Sequence, residues 1–372
     1  MRICSSLCLG LLTNKMIECS SKELNLGATL QGGQSFRWLP HETGYRGVFN
    51  SSVWTLIQNE TSIRYSVEGS LSDNQNYDEV LRQYFRLDVS LLDHCKKWIE
   101  VDKNFQKSYE KVDGIRILNQ DILENLFSSI CTSNNNIQRI SGMVEKLCIL
   151  FGKKICSIDG NDYFDFPTLE LLQGQNVESI LRKEGFGYRA AYIANTAKKL
   201  QELGGRKWLM SLHKCNNASY LEAKEQLLTL PGVGPKVADC ICLMSLGHLE
   251  AIPIDTHIFQ VVRANYLPHL GKQKTVTPKI HEEISTHLRE LWGPLAGWAQ
   301  AILFCAKIIK ILACNIHKTY RAIKNTTRYY FFYYFILFYL VLLLLLHLYQ
   351  ISRLELQKVL RRLRIKIPKN NR

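Results

Sequence analysis

Lys236 and Asp255 are the two residues whose types and settings best fit joint chemistry. Lys236 stands in Leu230-Pro231-Gly232-Val233-Gly234-Pro235-Lys236-Val237-Ala238-Asp239, where a helical segment runs into a two-glycine turn and a second helix opens. Gly232 and Gly234 are expected to give a tight turn with positive φ and close approach of a ligand to the backbone. Pro235 suits the first turn of the next helix. The N–H groups at that helix start can receive a phosphodiester, which puts the amine of Lys236 beside it. The positive end of the helix dipole disfavours an ammonium there and helps to free an amine for covalent attack on a DNA sugar. Cys240, four residues on, shares the face of Lys236 and either pairs with it or fills space. Asp239 needs no role beyond complementing the dipole.

Asp255, in Pro253-Ile254-Asp255-Thr256-His257, precedes the apolar set Ile258, Phe259 and Val262, the pattern of an N-cap. A capped, rigid carboxylate can also stabilise a cationic sugar. His257 in the same turn suits a phosphate contact; taken alone, it reads as a surface or packed histidine.

These residues need a scaffold, and the pattern changes along the chain to supply one. Residues 45–49, 53–57 and 62–67 read as short strands, the last alternating as Ile63-Arg64-Tyr65-Ser66-Val67 after the turn Asn59-Glu60-Thr61. Gly32 and Gly33 form a turn into a further strand. From about Asp121 the apolar period becomes helical, as in Ile122, Leu123, Leu126, Phe127 and Ile130. Helices are expected over 177–184, 189–203, 219–229, 235–246, 256–266, 278–291 and 295–306. Ser219 with Glu222 makes a capping box at the start of the 219–229 helix. The organisation is therefore a leader or disordered start at 1–15, an antiparallel sheet domain at 16–120, a helical domain at 121–306 with a hairpin at 219–246, and an atypical tail at 307–372.

Composition narrows the function classes. The chain of 372 residues carries a formal charge of +14, but residues 305–372 hold 14 Lys/Arg against one acid, Glu355. The first 304 residues are nearly neutral, so a grip on nucleic acid must come from local patches. Twelve cysteines form no C-x-x-C pair and no late cluster for an iron–sulfur centre, and a reduced intracellular protein is expected. Residues 329–349 are apolar except for His347 and long enough to span a bilayer. Translated non-coding sequence is the favoured explanation of this stretch over a membrane anchor.

The residues resemble the helix-hairpin-helix DNA glycosylase superfamily, and within it the eukaryotic 8-oxoguanine DNA glycosylase/AP lyase family. The resemblance is carried by Gly33-Gln34-Ser35-Phe36-Arg37-Trp38, Cys131-Thr132-Ser133-Asn134-Asn135-Asn136-Ile137, Gly185-Phe186-Gly187-Tyr188-Arg189-Ala190, the hairpin, and Trp292-Gly293-Pro294-Leu295-Ala296-Gly297-Trp298-Ala299-Gln300, in family order from about Met16 to Ala306. It implies an α+β fold, a TATA-box-protein-like antiparallel sheet followed by an all-α helix-hairpin-helix glycosylase domain. The implied activity is removal of 8-oxoguanine opposite cytosine from double-stranded DNA, with a Schiff base on Lys236, Asp255 stabilising the sugar cation, and strand cleavage by β-elimination.

By the same resemblance, the carbonyl of Gly33 accepts the N7–H that oxidation adds. Cys240 and Phe304 sandwich the flipped base, Gln300 bonds its Watson–Crick edge, and Met244 lines the pocket. Asn134, Arg139 and Arg189 attend the orphaned cytosine, and Tyr188 wedges into the stack. His257, Gly232 and Gly234 meet phosphates. No cofactor or metal is implied. A monomer acting in the nucleus is expected, with the mitochondrion as a second location. The chain departs from the family after Ala306, where Lys307 stands in place of an expected acidic residue. Two alternatives stay open: a tail-altered splice form with little activity, and a non-catalytic hairpin protein that binds DNA.

Overall fold

The computed structural model describes residues 15–69 and 76–308. The expectations for residues 1–14 and for the tail beyond 308, including the apolar stretch 329–349, lie outside the described residues.

The N-terminal part is a five-stranded antiparallel sheet with the order β1-β5-β4-β3-β2, formed by β1 (Lys15–Glu18), β2 (Trp38–His41), β3 (Gly44–Phe49), β4 (Ser52–Gln58) and β5 (Ser62–Gly69). Three expected strands appear as β3, β4 and β5, with Trp54 opposite Val67 and Gly47 opposite Trp54 in the register. Alternation along β5 buries Ile63, Tyr65 and Val67 against Trp38, Trp54 and Leu81. β1 pairs with β5 but carries no alternating apolar pattern of its own, since only Ile17 of its four residues is buried.

The second core is helical and recruits residues from before 121: Leu91, Cys95, Trp98 and Phe105 pack with Trp292 and Ile117 in the same cluster. The helices Leu91–Val101 and Lys103–Tyr109 supply them. Asp102 fixes the corner between these two helices, because its carboxylate caps the second and accepts from the indole of Trp292 at 3.0 Å. The remaining helices include Ile122–Cys131, Ile137–Phe151, Val177–Lys183, Arg189–Leu203, Tyr220–Leu228, Pro235–Ser245, Thr256–Asn265 and Pro278–Trp292, with a further helix over 296–308. A two-stranded ribbon, β6 (Lys154–Ile158) with β7 (Asn161–Phe164), interrupts the helical part. It attaches to the sheet side through Arg46, which bonds Asp159 at 2.8 Å.

Candidate active site

The hairpin begins with the expected capping box: Ser219 Oγ accepts from the Glu222 N–H, and the Glu222 carboxylate accepts from the Ser219 N–H at 2.9 Å. The turn that follows needs glycine at 232 for two reasons. Its φ is +76°, and a Cβ there would sit 2.6 Å from Cγ of Tyr192. Gly234 differs from expectation. Its φ is −95° with ψ 178°, an extended conformation open to any residue, and a Cβ would meet nothing within 4 Å. Only Gly232 supplies a positive φ to this turn. Gly234 instead acts as an N-cap with no side chain, so the first-turn N–H groups of Pro235–Ser245 have no side-chain acceptor and remain available to an anion.

Lys236 lies in that first turn, half-buried. Its Nζ donates to Thr132 Oγ1 at 3.2 Å, and the buried Cys240 lies one helical turn further on. Burial raises the Cys240 pKa, although Lys236 pulls it down; the charges of Asp239 and Asp255 raise it further. The thiol is thus neutral and no rival nucleophile. Asp255 is the expected N-cap of Thr256–Asn265, accepting from the Ile258 N–H at 2.8 Å. The four residues before it, Ala251 to Ile254, are buried and hold it in place.

Asp239 is not the dipole partner expected of it. It is fully buried, with Tyr220 Oη donating to it at 2.7 Å and Lys224 Nζ at 3.0 Å, and His281 Nε2 stands 3.0 Å from its carboxylate. This cluster joins both hairpin helices to Pro278–Trp292. No sequence signal marked it, because Lys224 and His281 each sit in an ordinary polar stretch.

The residues expected around the base converge. Gly33 has φ +79°, and a Cβ on it would lie 3.6 Å from Ile137 Cδ1 and 3.9 Å from Phe304 Cε1. Cys240 and Met244 are buried one turn apart on the helix that carries Lys236. Gln120, missed in the sequence, ties this wall together: Nε2 donates to Gln34 O at 2.8 Å and contacts Met244 Sδ at 3.3 Å, while its N–H donates to Met244 O. Gln300 is buried one helical turn before the half-buried Phe304. The ring of His257 meets Phe304 edge-on at 6.2 Å, and His257 Nδ1 is buried without a hydrogen-bond partner.

A second group gathers around Asn134, itself exposed with φ +47°. Arg189 Nη2 donates to Ser133 O and to Asn134 O, the latter at 3.0 Å. Tyr188 Oη donates to Ser133 O at 3.0 Å, and its ring stacks under the Arg189 guanidinium. Arg139 donates to Gly185 O at 3.1 Å. Arg189 is only 3% exposed, so it braces the Ser133–Asn134 backbone. Tyr192 stacks edge-on against Tyr188 and covers Gly232, linking this group to the hairpin turn.

Known proteins resemble the chain over both parts. Residues 16–126 match the N-terminal domain of 8-oxoguanine DNA glycosylase, and residues 127–294 match the HhH-GPD superfamily of base excision DNA repair proteins. The chain is 37% identical over 324 residues to the N-glycosylase/DNA lyase of Saccharomyces cerevisiae, covering 78% of this chain and 85% of the relative. It is 38% identical over 299 residues to the N-glycosylase/DNA lyase OGG1 of Arabidopsis thaliana, covering 78% and 80%. Among solved structures, the Clostridium acetobutylicum 8-oxoguanine glycosylase/lyase bound to double-stranded DNA with cytosine opposite 8-oxoguanine superposes with a TM-score of 0.68 at 27% identity, covering 80% of this chain and 99% of that one.

Proposed function

This chain belongs to the 8-oxoguanine DNA glycosylase family, and we propose that it excises 8-oxoguanine from opposite cytosine through an imine on Lys236 and then nicks the strand by β-elimination. It is a DNA N-glycosylase and DNA lyase of base excision repair. The observation that supports the finer reading is the placement of Lys236: its amine stands in the first turn of a helix whose start has no side-chain cap, held to Thr132 Oγ1 at 3.2 Å and one turn from the buried Cys240.

The damaged nucleotide rotates out of the stack into the space between Cys240 and Phe304. Gln300 and Met244 line this space. The Gly33 carbonyl accepts the N7–H of 8-oxoguanine; guanine has a lone pair at that atom and would set like against like. The neutral Lys236 amine attacks C1′, and the C1′–N9 bond breaks with its electron pair leaving on the base, which takes up a proton. The Asp255 carboxylate stabilises the positive charge that develops on the sugar. Opening of the sugar ring gives the iminium. Loss of a C2′ proton then expels the 3′ phosphate and cleaves the strand.

Asn134 fills the vacated position in the duplex, and Tyr188 wedges beside it. Arg139 and Arg189 serve the orphaned cytosine, Arg139 exchanging the Gly185 carbonyl for a base edge and Arg189 acting in part through the backbone it braces. Gly232, Gly234 and His257 receive phosphates. A nuclear site of action, with the mitochondrion second, rests on the DNA substrate alone.

Duplexes with 8-oxoguanine opposite each of the four bases test the specificity. Base release and nicking are expected to be fastest opposite cytosine. Equal or faster release opposite adenine would overturn the assignment of Asn134, Arg139 and Arg189.

A further inference from the structure

The amine of Lys236 is already held by a residue with no assigned task. Its Nζ reaches 3.2 Å to Thr132 Oγ1, at the C-terminal cap of the helix Ile122–Cys131. The hydroxyl proton of Thr132 is committed elsewhere, because Oγ1 donates to Ser129 O at 2.7 Å. A hydroxyl has one proton and two lone pairs. With that proton directed to Ser129, Thr132 can face Lys236 only as an acceptor. We infer that Thr132 is the positioning residue for the nucleophile: it holds one N–H of Lys236 and leaves the lone pair of the neutral amine free for C1′. The inference rests on the proposed role of Lys236.

The direction of this bond decides its chemical value. A hydroxyl that donated to Nζ would occupy the lone pair that has to attack. As an acceptor, Thr132 is compatible with every state of the nitrogen. The neutral amine has two N–H groups and keeps both when its lone pair forms the Nζ–C1′ bond. One proton is then lost to solvent. The C1′–O4′ bond breaks with its electron pair going to O4′, which is protonated, while the nitrogen lone pair forms the C1′=Nζ bond. The iminium retains one N–H, and Thr132 Oγ1 can hold it from first contact to iminium.

The position of Thr132 is itself fixed. Asn125, on the same helix, is buried, and its Nδ2 donates to Ser245 Oγ at 2.8 Å and to Cys240 O at 3.3 Å. The side chain of Asn125 thus clamps the helix ending at Thr132 to the helix carrying Lys236. Ser129 Oγ donates to Asn125 Oδ1 at 3.1 Å, so the residue that receives the Thr132 proton belongs to the same buried network. The hydroxyl and the amine are therefore set by two helices locked at their shared face, which suits a task that depends on aim.

The test uses the full chain and a duplex with 8-oxoguanine opposite cytosine. Borohydride capture under single turnover reads the covalent step, and titration of a duplex carrying a tetrahydrofuran abasic analogue reads binding. Thr132→Val removes the acceptor at nearly constant volume and is expected to slow capture about tenfold to a hundredfold while affinity stays within about twofold. Thr132→Ser restores the acceptor and is expected to return the rate to within about threefold of the parent. Should valine disturb the helix end, Thr132→Ala against Thr132→Ser makes the same comparison. Valine or alanine variants that capture as fast as the parent would overturn the inference, as would a serine variant no faster than alanine, or rate and affinity falling in proportion. A parent chain that captures nothing would instead overturn the proposed function.

Discussion

At Asp255 two tasks meet in one carboxylate. One oxygen accepts the Ile258 N–H at 2.8 Å and starts a helix, and in the proposed mechanism the charge is left to stabilise an electron-poor sugar. Asparagine keeps the acceptor and removes the charge. Asp255→Asn is therefore expected to slow base release by about a hundredfold to a thousandfold in single turnover, with duplex affinity by anisotropy nearly unchanged. Loss of affinity in step with rate would reduce Asp255 to a cap. The cap at Asp255 and the positive φ at Gly232 were legible in the sequence because each lies in a local motif whose cap or turn dictates the residue type. Thr132 and Gln120 were not, because their roles arise from tertiary contacts, Thr132 with Lys236 at a separation of 104 residues and Gln120 with Met244 at 124. Gly234 was misread because spacing alone does not say which glycine of a pair takes the left-handed conformation.

The elements carry predictions of their own. Gly232→Ala places a Cβ into the Tyr192 ring at a position with φ +76°, and is expected to cost about 1–3 kcal/mol of stability and to weaken duplex binding. Thermal melting and anisotropy check the two effects. The buried cluster beneath the hairpin is the stronger fastener. Asp239→Ala leaves Lys224 buried without its carboxylate, and is expected to cost about 3–5 kcal/mol by chemical denaturation. A loss below about 1 kcal/mol would return Asp239 to the dipole role that the sequence suggested. The long helices were legible from their apolar period and their caps; Ser219 with Glu222, Asp255 and Pro235 all mark true starts. β1 and the β6–β7 ribbon were not, because strands this short take their conformation from pairing with neighbours rather than from side-chain alternation.

Across the whole molecule, the body of the chain and its tail divide the charge unevenly. Residues 305–372 hold 14 basic residues against one acid, whereas every residue assigned to the site lies between Gly33 and Phe304. A chain stopped after residue 308 is therefore expected to keep covalent capture of the lesion within about threefold. Its non-specific DNA binding should lose steepness in salt, with a slope falling by roughly 0.9 for each phosphate contact removed. Competition by undamaged duplex across a salt series measures this. The central claim is that the amine of Lys236 becomes covalently joined to the sugar of an extruded 8-oxoguanosine. Borohydride reduction of the full chain with a duplex bearing 8-oxoguanine opposite cytosine, followed by denaturing electrophoresis, tests it most directly. The expected result is a protein–DNA adduct that disappears in Lys236→Gln while Asp255→Asn still binds the duplex. An adduct that persists in Lys236→Gln, or base release by the parent chain with no adduct at any time point, would contradict it.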